Sequence, residues 1–196
     1  MQPSLLEPAL RVPEGFEYRA GFLAADEERA LLAAIDPLTF SNVEMRGGVA
    51  RRRTAHFGWA YGYYSRRTSP GEPLPEFLHG VRARAAAWAG IEPEAFAEAL
   101  VTEYPAGAPI GWHRDAPMFG DIAGISLGSE CRMKFRPYVS PGALVTGAPP
   151  RRTTHEIDLE ARSAYLIRGL ARQQYEHHIP AVDALRYSIT FRTLRR

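Results

Sequence analysis

His113-Arg114-Asp115 places an imidazole and a carboxylate two positions apart. On an extended strand, residues i and i+2 project to the same side, so this pair can grip one metal ion while Arg114 points away. A third ligand comes from Tyr175-Glu176-His177-His178-Ile179-Pro180. His177 shares parity with Tyr175 and Ile179, and an apolar set should face inward. His178 shares parity with Glu176 and is expected at the surface or supporting a ligand. His113, Asp115 and His177 are therefore the expected ligands. Two histidines and one carboxylate, with the remaining positions open, suit Fe(II) in enzymes that must also admit a cosubstrate and dioxygen. His56, His79 and His155 have no comparable neighbours and read as structural.

The segment Arg186-Tyr187-Ser188-Ile189-Thr190-Phe191-Arg192 follows closely. Arg186, Ser188, Thr190 and Arg192 alternate with Tyr187, Ile189 and Phe191, which gives one polar, cationic face and one apolar face. Such a face is costly to bury unless an anion sits on it; the competing reading is an exposed edge strand. The two arginines are separated by about 20 Å of backbone. Their long side chains can lean together and meet a dicarboxylate from both ends, a task suited to the planar guanidinium fork.

The elements that must position these groups are short. A helix is predicted over Asp26 to Ile35, with Leu31, Leu32 and Ile35 on one side, acidic residues in its first turn and Pro37 beyond its end. A second presents Phe77, Leu78, Val81, Ala85 and Trp88 and stops at Gly90. Strands are predicted at Ala99 to Tyr104, Ile110 to His113, Ile122 to Leu127, Arg132 to Phe135, His155 to Leu159, Ala164 to Ile167, Gln174 to Ile179 and Tyr187 to Thr193. Short strands divided by Gly/Pro turns imply a mainly β fold of the α+β class: a jelly roll with N-terminal helices packed on it. No internal repeat, heptad pattern or phosphate-binding glycine loop interrupts this reading.

Between the two helices, Arg51 to Tyr64 reads as strand. Ala55, Phe57, Trp59, Tyr61 and Tyr63 alternate with Thr54, His56, Gly58, Ala60 and Gly62, and the aromatic set can cover a core or stack on a flat ligand. With Arg51, Arg52 and Arg53 beside it, the segment offers what a site needs to hold a phosphate chain and an extruded base. Trp59, Tyr61, Tyr63 and these three arginines are the candidate substrate contacts.

At 196 residues and 45% apolar content the chain can bury one core, and no linker divides it, so a single domain over 1–196 is expected. Cys131 is the sole cysteine, which excludes an internal disulfide and a Cys-based zinc site. With no leader-like or membrane-spanning stretch, a soluble protein of the reducing cytoplasm is expected, with no membrane or obligate protein partner. The net charge is only +2, yet Lys134 is the single lysine and the arginines cluster, as at Arg66-Arg67, Arg132 to Arg136 and Arg151-Arg152. Such clusters either attract phosphates or are solvated surface.

Taken in order, four segments resemble the AlkB family of Fe(II)/2-oxoglutarate dioxygenases. They are Glu103 to Asp115, Ile122 to Gly128, Tyr175 to Pro180 and Arg186 to Arg192. Phe22-Leu-Ala-Ala-Asp-Glu-Glu also resembles the family's opening, and Phe57-Gly-Trp59 its substrate lid. The resemblance implies a lid and helical part over about 14–98 and a jelly-roll core over about 99–194. It further implies that His113, Asp115 and His177 hold iron, and that Arg186, Arg192 and Tyr104 meet 2-oxoglutarate. Thr102 and Ser188 stand where members carry asparagine, and their hydroxyls can still hydrogen-bond the cosubstrate. The implied reaction is oxidative dealkylation of N-methylated bases in DNA or RNA. The alternatives are a 2-oxoglutarate-dependent hydroxylase or demethylase of a protein or small molecule, and a non-catalytic metal-binding jelly-roll module.

Overall fold

Alternating apolar residues build two antiparallel sheets that enclose the site. The computed structural model describes residues 12–45, 48–62, 67–140 and 153–195. In chain order, β1 (Phe16–Arg19) leads into α1 (Ala25–Ile35), followed by β2 (Ser41–Met45), β3 (Gly48–Gly62), β4 (Arg67–Pro70) and α2 (His79–Ala89). Next come β5 (Phe96–Tyr104), β6 (Ile110–His113), β7 (Phe119–Gly128), β8 (Cys131–Pro137), β9 (His155–Leu159) and β10 (Ala164–Ile167). The chain ends with α3 (Gly169–Gln174), β11 (Tyr175–Ile179) and β12 (Arg186–Leu194).

The larger sheet runs β1-β10-β7-β12-β5-β3-β2, with β4 paired to β3; the smaller runs β6-β11-β8-β9. The expected jelly roll is therefore the observed one, and β6, β9 and β10 have the bounds read from sequence. One apolar cluster lies between the helices and the larger sheet and includes Leu31, Ile35, Val81, Val101, Ile189 and Phe191. A second fills the space between the sheets, with Phe16, Ile122, Met133, Phe135, Tyr165 and Ile179. No helix among the described residues is long and apolar enough to cross a membrane.

Local chemistry fixes the helices. The backbone N–H of Ala24 donates to the Glu27 carboxylate at 2.8 Å, closing the first turn of α1. Glu27 also pairs with Arg84 of α2, tying the helices together. Gly90 ends α2 at φ +72°, in the left-handed region that glycine adopts without penalty. Gly124 answers a different constraint: a Cβ there would meet the Tyr165 ring at 2.1 Å, so the missing side chain makes room for a buried tyrosine between the sheets.

Three features depart from the expected layout. The N-terminal part is more than the two helices and the strand read over Arg51 to Tyr64, because β1 and β2 also join the larger sheet. A short helix, α3, precedes β11 and takes in Gln174, which had been read as strand. Asp115 lies past the end of β6, in a loop, so strand alternation does not set its direction.

Candidate metal centre and its cavity

His113 and His177 are direct register partners across β6 and β11. Facing positions on one side of a sheet bring their Cβ atoms within about 5 Å, and the two ring centroids are 4.3 Å apart. The Nδ1–H of His113 donates to the Gly111 carbonyl at 2.8 Å, which leaves Nε2 with its lone pair for a metal. His178 faces the other way: its Nδ1 meets the Ile110 carbonyl at 2.6 Å and its ring lies beside Trp112.

Asp115 is brought to this pair by two arginines. Arg172 of α3 is buried beneath the loop and donates to the carbonyls of Ala116 and Phe119 at 2.8 Å each, and to those of Gly120 and Asp115 at 3.1 and 3.3 Å. Arg192 holds the side chain, with Nε and Nη2 at 2.8 and 2.7 Å from Asp115 Oδ1. The other oxygen, Oδ2, lies 3.6 Å from His177 Nε2. One potential ligand atom from each of His113, Asp115 and His177 lies within 4.8 Å of the others.

Burial and the neighbouring charges set the protonation states of the three groups. Burial alone would raise the Asp115 carboxyl, but Arg192 and both histidines pull it well below the usual carboxylate range. Burial, with His113 alongside, pushes His177 down to about 3. Burial lowers His113 as well. A carboxylate and two neutral imidazoles are the protonation states that a metal needs.

A cavity of about 450 Å³ opens from this cluster between the sheets. Thr102, Tyr104, Ser188, Thr190 and Arg192 line it, so the polar face of β12 does turn inward while Ile189 and Phe191 pack toward the helices. Thr102 pairs with Ser188, and Tyr104 with Arg186, across β5 and β12. Arg186 is fully buried, stands behind the cavity wall and lies 5.1 Å from the centroid of the Tyr104 ring. Its Nε donates to Ser126 Oγ at 3.2 Å, whereas Nη1 and Nη2 have no hydrogen-bond partner among the described residues. A buried guanidinium without a counter-ion is unfavourable by on the order of several kcal/mol, so this end of the fold fits a carboxylate.

Other candidates separate. Arg52 lines the cavity, together with Thr54 and His56. Arg53 points to the opposite face, bonded to Glu103 at 2.5 Å, and Arg51 reaches the Gly107 carbonyl at 3.4 Å. The aromatic parity of β3 also turns from the cavity: Ala55 and Phe57 pack with the helices, and Trp59 is exposed, off the cavity wall. Tyr61 pairs through its backbone with Thr68 of β4, and Tyr63 lies outside the described residues.

Glu98 and Arg172 were not singled out from sequence, and His56, read there as structural, lies on the cavity wall. Glu98 is 2% exposed, pairs with Arg192 at 2.8 Å and lies 3.4 Å from His56 Nδ1. Its inward parity with Thr102 on β5 was the available signal; Arg172, on an unexpected helix, gave none.

A jelly roll holding a His-Asp-His cluster beside a polar cavity, with a buried arginine behind the cavity wall, suits a non-haem iron oxygenase. Residues 15–192 match the family model of the 2OG-Fe(II) oxygenase superfamily, and the chain belongs to that superfamily, whose chemistry uses Fe(II), 2-oxoglutarate and dioxygen. An Arabidopsis thaliana protein described as "Alkylated DNA repair protein ALKBH8 homolog" is 30% identical over 211 residues, covering 98% of this chain and 59% of the relative. This chain thus spans about three-fifths of that protein. Among solved structures, OsALKBH1 superposes with a TM-score of 0.67 at 14% identity, covering 93% of this chain and 99% of the other. A 2OG-Fe(II) oxygenase family oxidoreductase from Burkholderia pseudomallei gives 0.63 at 15% identity, covering 93% and 86%. The resemblance to AlkB proteins read from the four motifs agrees with these likenesses.

Proposed function

We propose that this oxygenase removes methyl groups oxidatively from bases of DNA or RNA. The observation that carries the reading is the sequence likeness, along 98% of the chain, to a protein named for repair of alkylated DNA. A basic residue on the cavity wall, Arg52, is in keeping with a substrate that carries phosphate.

In this reading His113, Asp115 and His177 hold iron, and Arg186 receives one carboxylate of 2-oxoglutarate beside Tyr104, Thr102 and Ser188. When bound, iron and its cosubstrate supply the oxidising power that hydroxylates a substrate C–H bond, with 2-oxoglutarate leaving as succinate and carbon dioxide. The chain's own part is placement. Gly111 fixes the His113 tautomer, Arg172 shapes the loop, and Arg192 leaves Asp115 Oδ2 available. No side chain needs to move a proton on the substrate, because an N-hydroxymethyl group releases formaldehyde by itself.

The test is mass spectrometry of methylated single- and double-stranded DNA and RNA oligonucleotides, incubated under air with the protein, Fe(II) and 2-oxoglutarate. The expected result is loss of the mass of CH₂ per methyl group removed. Succinate formation without any change in the oligonucleotides, but with hydroxylation of free metabolites or methylated peptides, would move the substrate to those classes. Absence of succinate under every condition would leave a non-catalytic metal-binding module.

A further inference from the structure

We infer that Glu98 is a positioning residue that locks Arg192 onto the metal-site carboxylate and thereby holds Asp115 in the orientation the metal site uses. Glu98 and Arg192 are direct cross-strand partners on β5 and β12, both facing the cavity. Arg192 Nη1 meets Glu98 Oε2 at 2.8 Å, and its Nε and Nη2 both meet Asp115 Oδ1. The side chains of Glu98, Asp115 and Arg192 are 2%, 7% and 11% exposed.

A guanidinium offers its N–H groups along fixed edges of one plane. Here one edge holds Asp115 and another nitrogen holds Glu98, so the single positive charge already faces two carboxylates. A third anion would have to displace one of them. The opposite holds at Arg186, where among the described residues two buried N–H-bearing nitrogens have no partner and no carboxylate is in hydrogen-bond reach. The charge arrangement therefore divides the labour of two arginines that sequence parity treats as equivalent.

Glu98 also directs the ligand itself. With Arg192 anchored from β5, Asp115 Oδ1 is held and Oδ2 is left toward His177. Without Glu98, the Arg192 side chain gains freedom to swing, and Asp115 loses a fixed orientation. Partners that orient a metal-binding carboxylate typically change metal affinity by about 10–100-fold when removed. His56, half exposed at 3.4 Å from the other Glu98 oxygen, extends this chain of contacts toward the outer part of the cavity.

This inference rests on the iron and cosubstrate assignments above, not on the nucleic-acid substrate. Chelator-stripped full-length protein is titrated with Mn(II), following free Mn(II) by electron paramagnetic resonance. 2-Oxoglutarate is then titrated calorimetrically into the Mn(II)-saturated protein. Glu98→Ala is expected to weaken Mn(II) binding at least tenfold while leaving 2-oxoglutarate affinity within about twofold; Arg186→Lys gives the reverse pattern. Glu98→Gln keeps the volume and a hydrogen-bond acceptor, falls between wild type and Glu98→Ala, and carries the test alone should the alanine variant not fold. Mn(II) binding unchanged in Glu98→Gln and Glu98→Ala overturns the inference, as does a loss of 2-oxoglutarate affinity matching that of Arg186→Lys. Failure of the underlying site assignment looks different: His113→Ala would then bind Mn(II) as wild type does.

Discussion

The two ends of β12 carry the same residue on the same face in opposite surroundings. At one end Arg192 is hemmed in by the carboxylates of Asp115 and Glu98. At the other, Arg186 is buried with two unpaired nitrogens. Burial by itself lowers Arg192, but the two acids more than reverse this and hold it firmly charged. The first end is complete as an ion network and leaves one carboxylate oxygen toward His177. The second keeps two guanidinium nitrogens without a hydrogen-bond partner among the described residues, which is what the proposed 2-oxoglutarate carboxylate would supply. Sequence alternation tells which face a charge occupies; only the partners tell whether it is a fixture or a receptor.

The sharpest way to break this comparison is at the metal end. Asp115→Ala removes the anchor of Arg192 and the carboxylate ligand together, and His113→Ala removes an imidazole whose tautomer is already set. Both variants are expected to lose iron-dependent conversion of 2-oxoglutarate to succinate completely, with far-ultraviolet circular dichroism unchanged. Full turnover in either would place the iron elsewhere.

The receptor end predicts a paired outcome. Arg186→Lys replaces a planar fork by a point charge, and the 2-oxoglutarate concentration for half-maximal turnover should rise by roughly tenfold or more, one lost charge-assisted contact costing about 1.5–3 kcal/mol. Arg186→Met removes an unpaired buried charge, so the ligand-free protein should melt higher than wild type. In exchange it should lose the stabilisation that saturating 2-oxoglutarate gives, about 2.7 kcal/mol at a hundredfold excess over Kd. Thermal melts with and without 2-oxoglutarate and Mn(II) decide this; a lower melting point for ligand-free Arg186→Met would mean that Arg186 has a structural counter-ion in solution.

These arrangements were legible to different depths. The parity of β11 was enough to put His177 on the cavity and His178 away from it, because Tyr175 and Ile179 mark the inner face. The inward turn of Ser188, Thr190 and Arg192 followed from the apolar Ile189 and Phe191 between them. Asp115 is different: it lies beyond β6, and its position is set by Arg172 from 57 residues later in the chain. No local pattern encodes a guanidinium gathering four carbonyls. The same limit applies to β3, where aromatic residues could equally have met a ligand or the helices. Its pairing with β5 turned Phe57 to the helices and His56 to the cavity.

Arg172 supplies an intermediate effect. Replacing it with methionine keeps much of its volume but takes a donor from four carbonyls; those of Ala116 and Phe119 keep the Phe119 N–H and Arg195 Nε, while those of Asp115 and Gly120 lose the donor that Arg172 gave them, in the loop beside the histidine pair. Each buried carbonyl left unsatisfied costs about 1–3 kcal/mol, less where water enters. Destabilisation of several kcal/mol in urea melts is expected, with weakened Mn(II) binding in the fraction that folds. A variant as stable as wild type would show that the loop keeps its shape without the guanidinium.

The smallest effect tests where a nucleic-acid strand would meet the rim. Arg52 lines the cavity, whereas Arg53, its neighbour, faces away and is paired with Glu103. If a phosphate lies against the cavity wall, Arg52→Ala should weaken binding of a methylated single-stranded oligonucleotide and reduce the slope of log K against log salt by about 0.7, the value for one contact. Arg53→Ala should leave that slope unchanged, because its charge is committed to the other face of the sheet. Equal slopes for both variants would mean that the strand does not follow β3, and that the face of the sheet an arginine occupies does not decide whether it meets the strand.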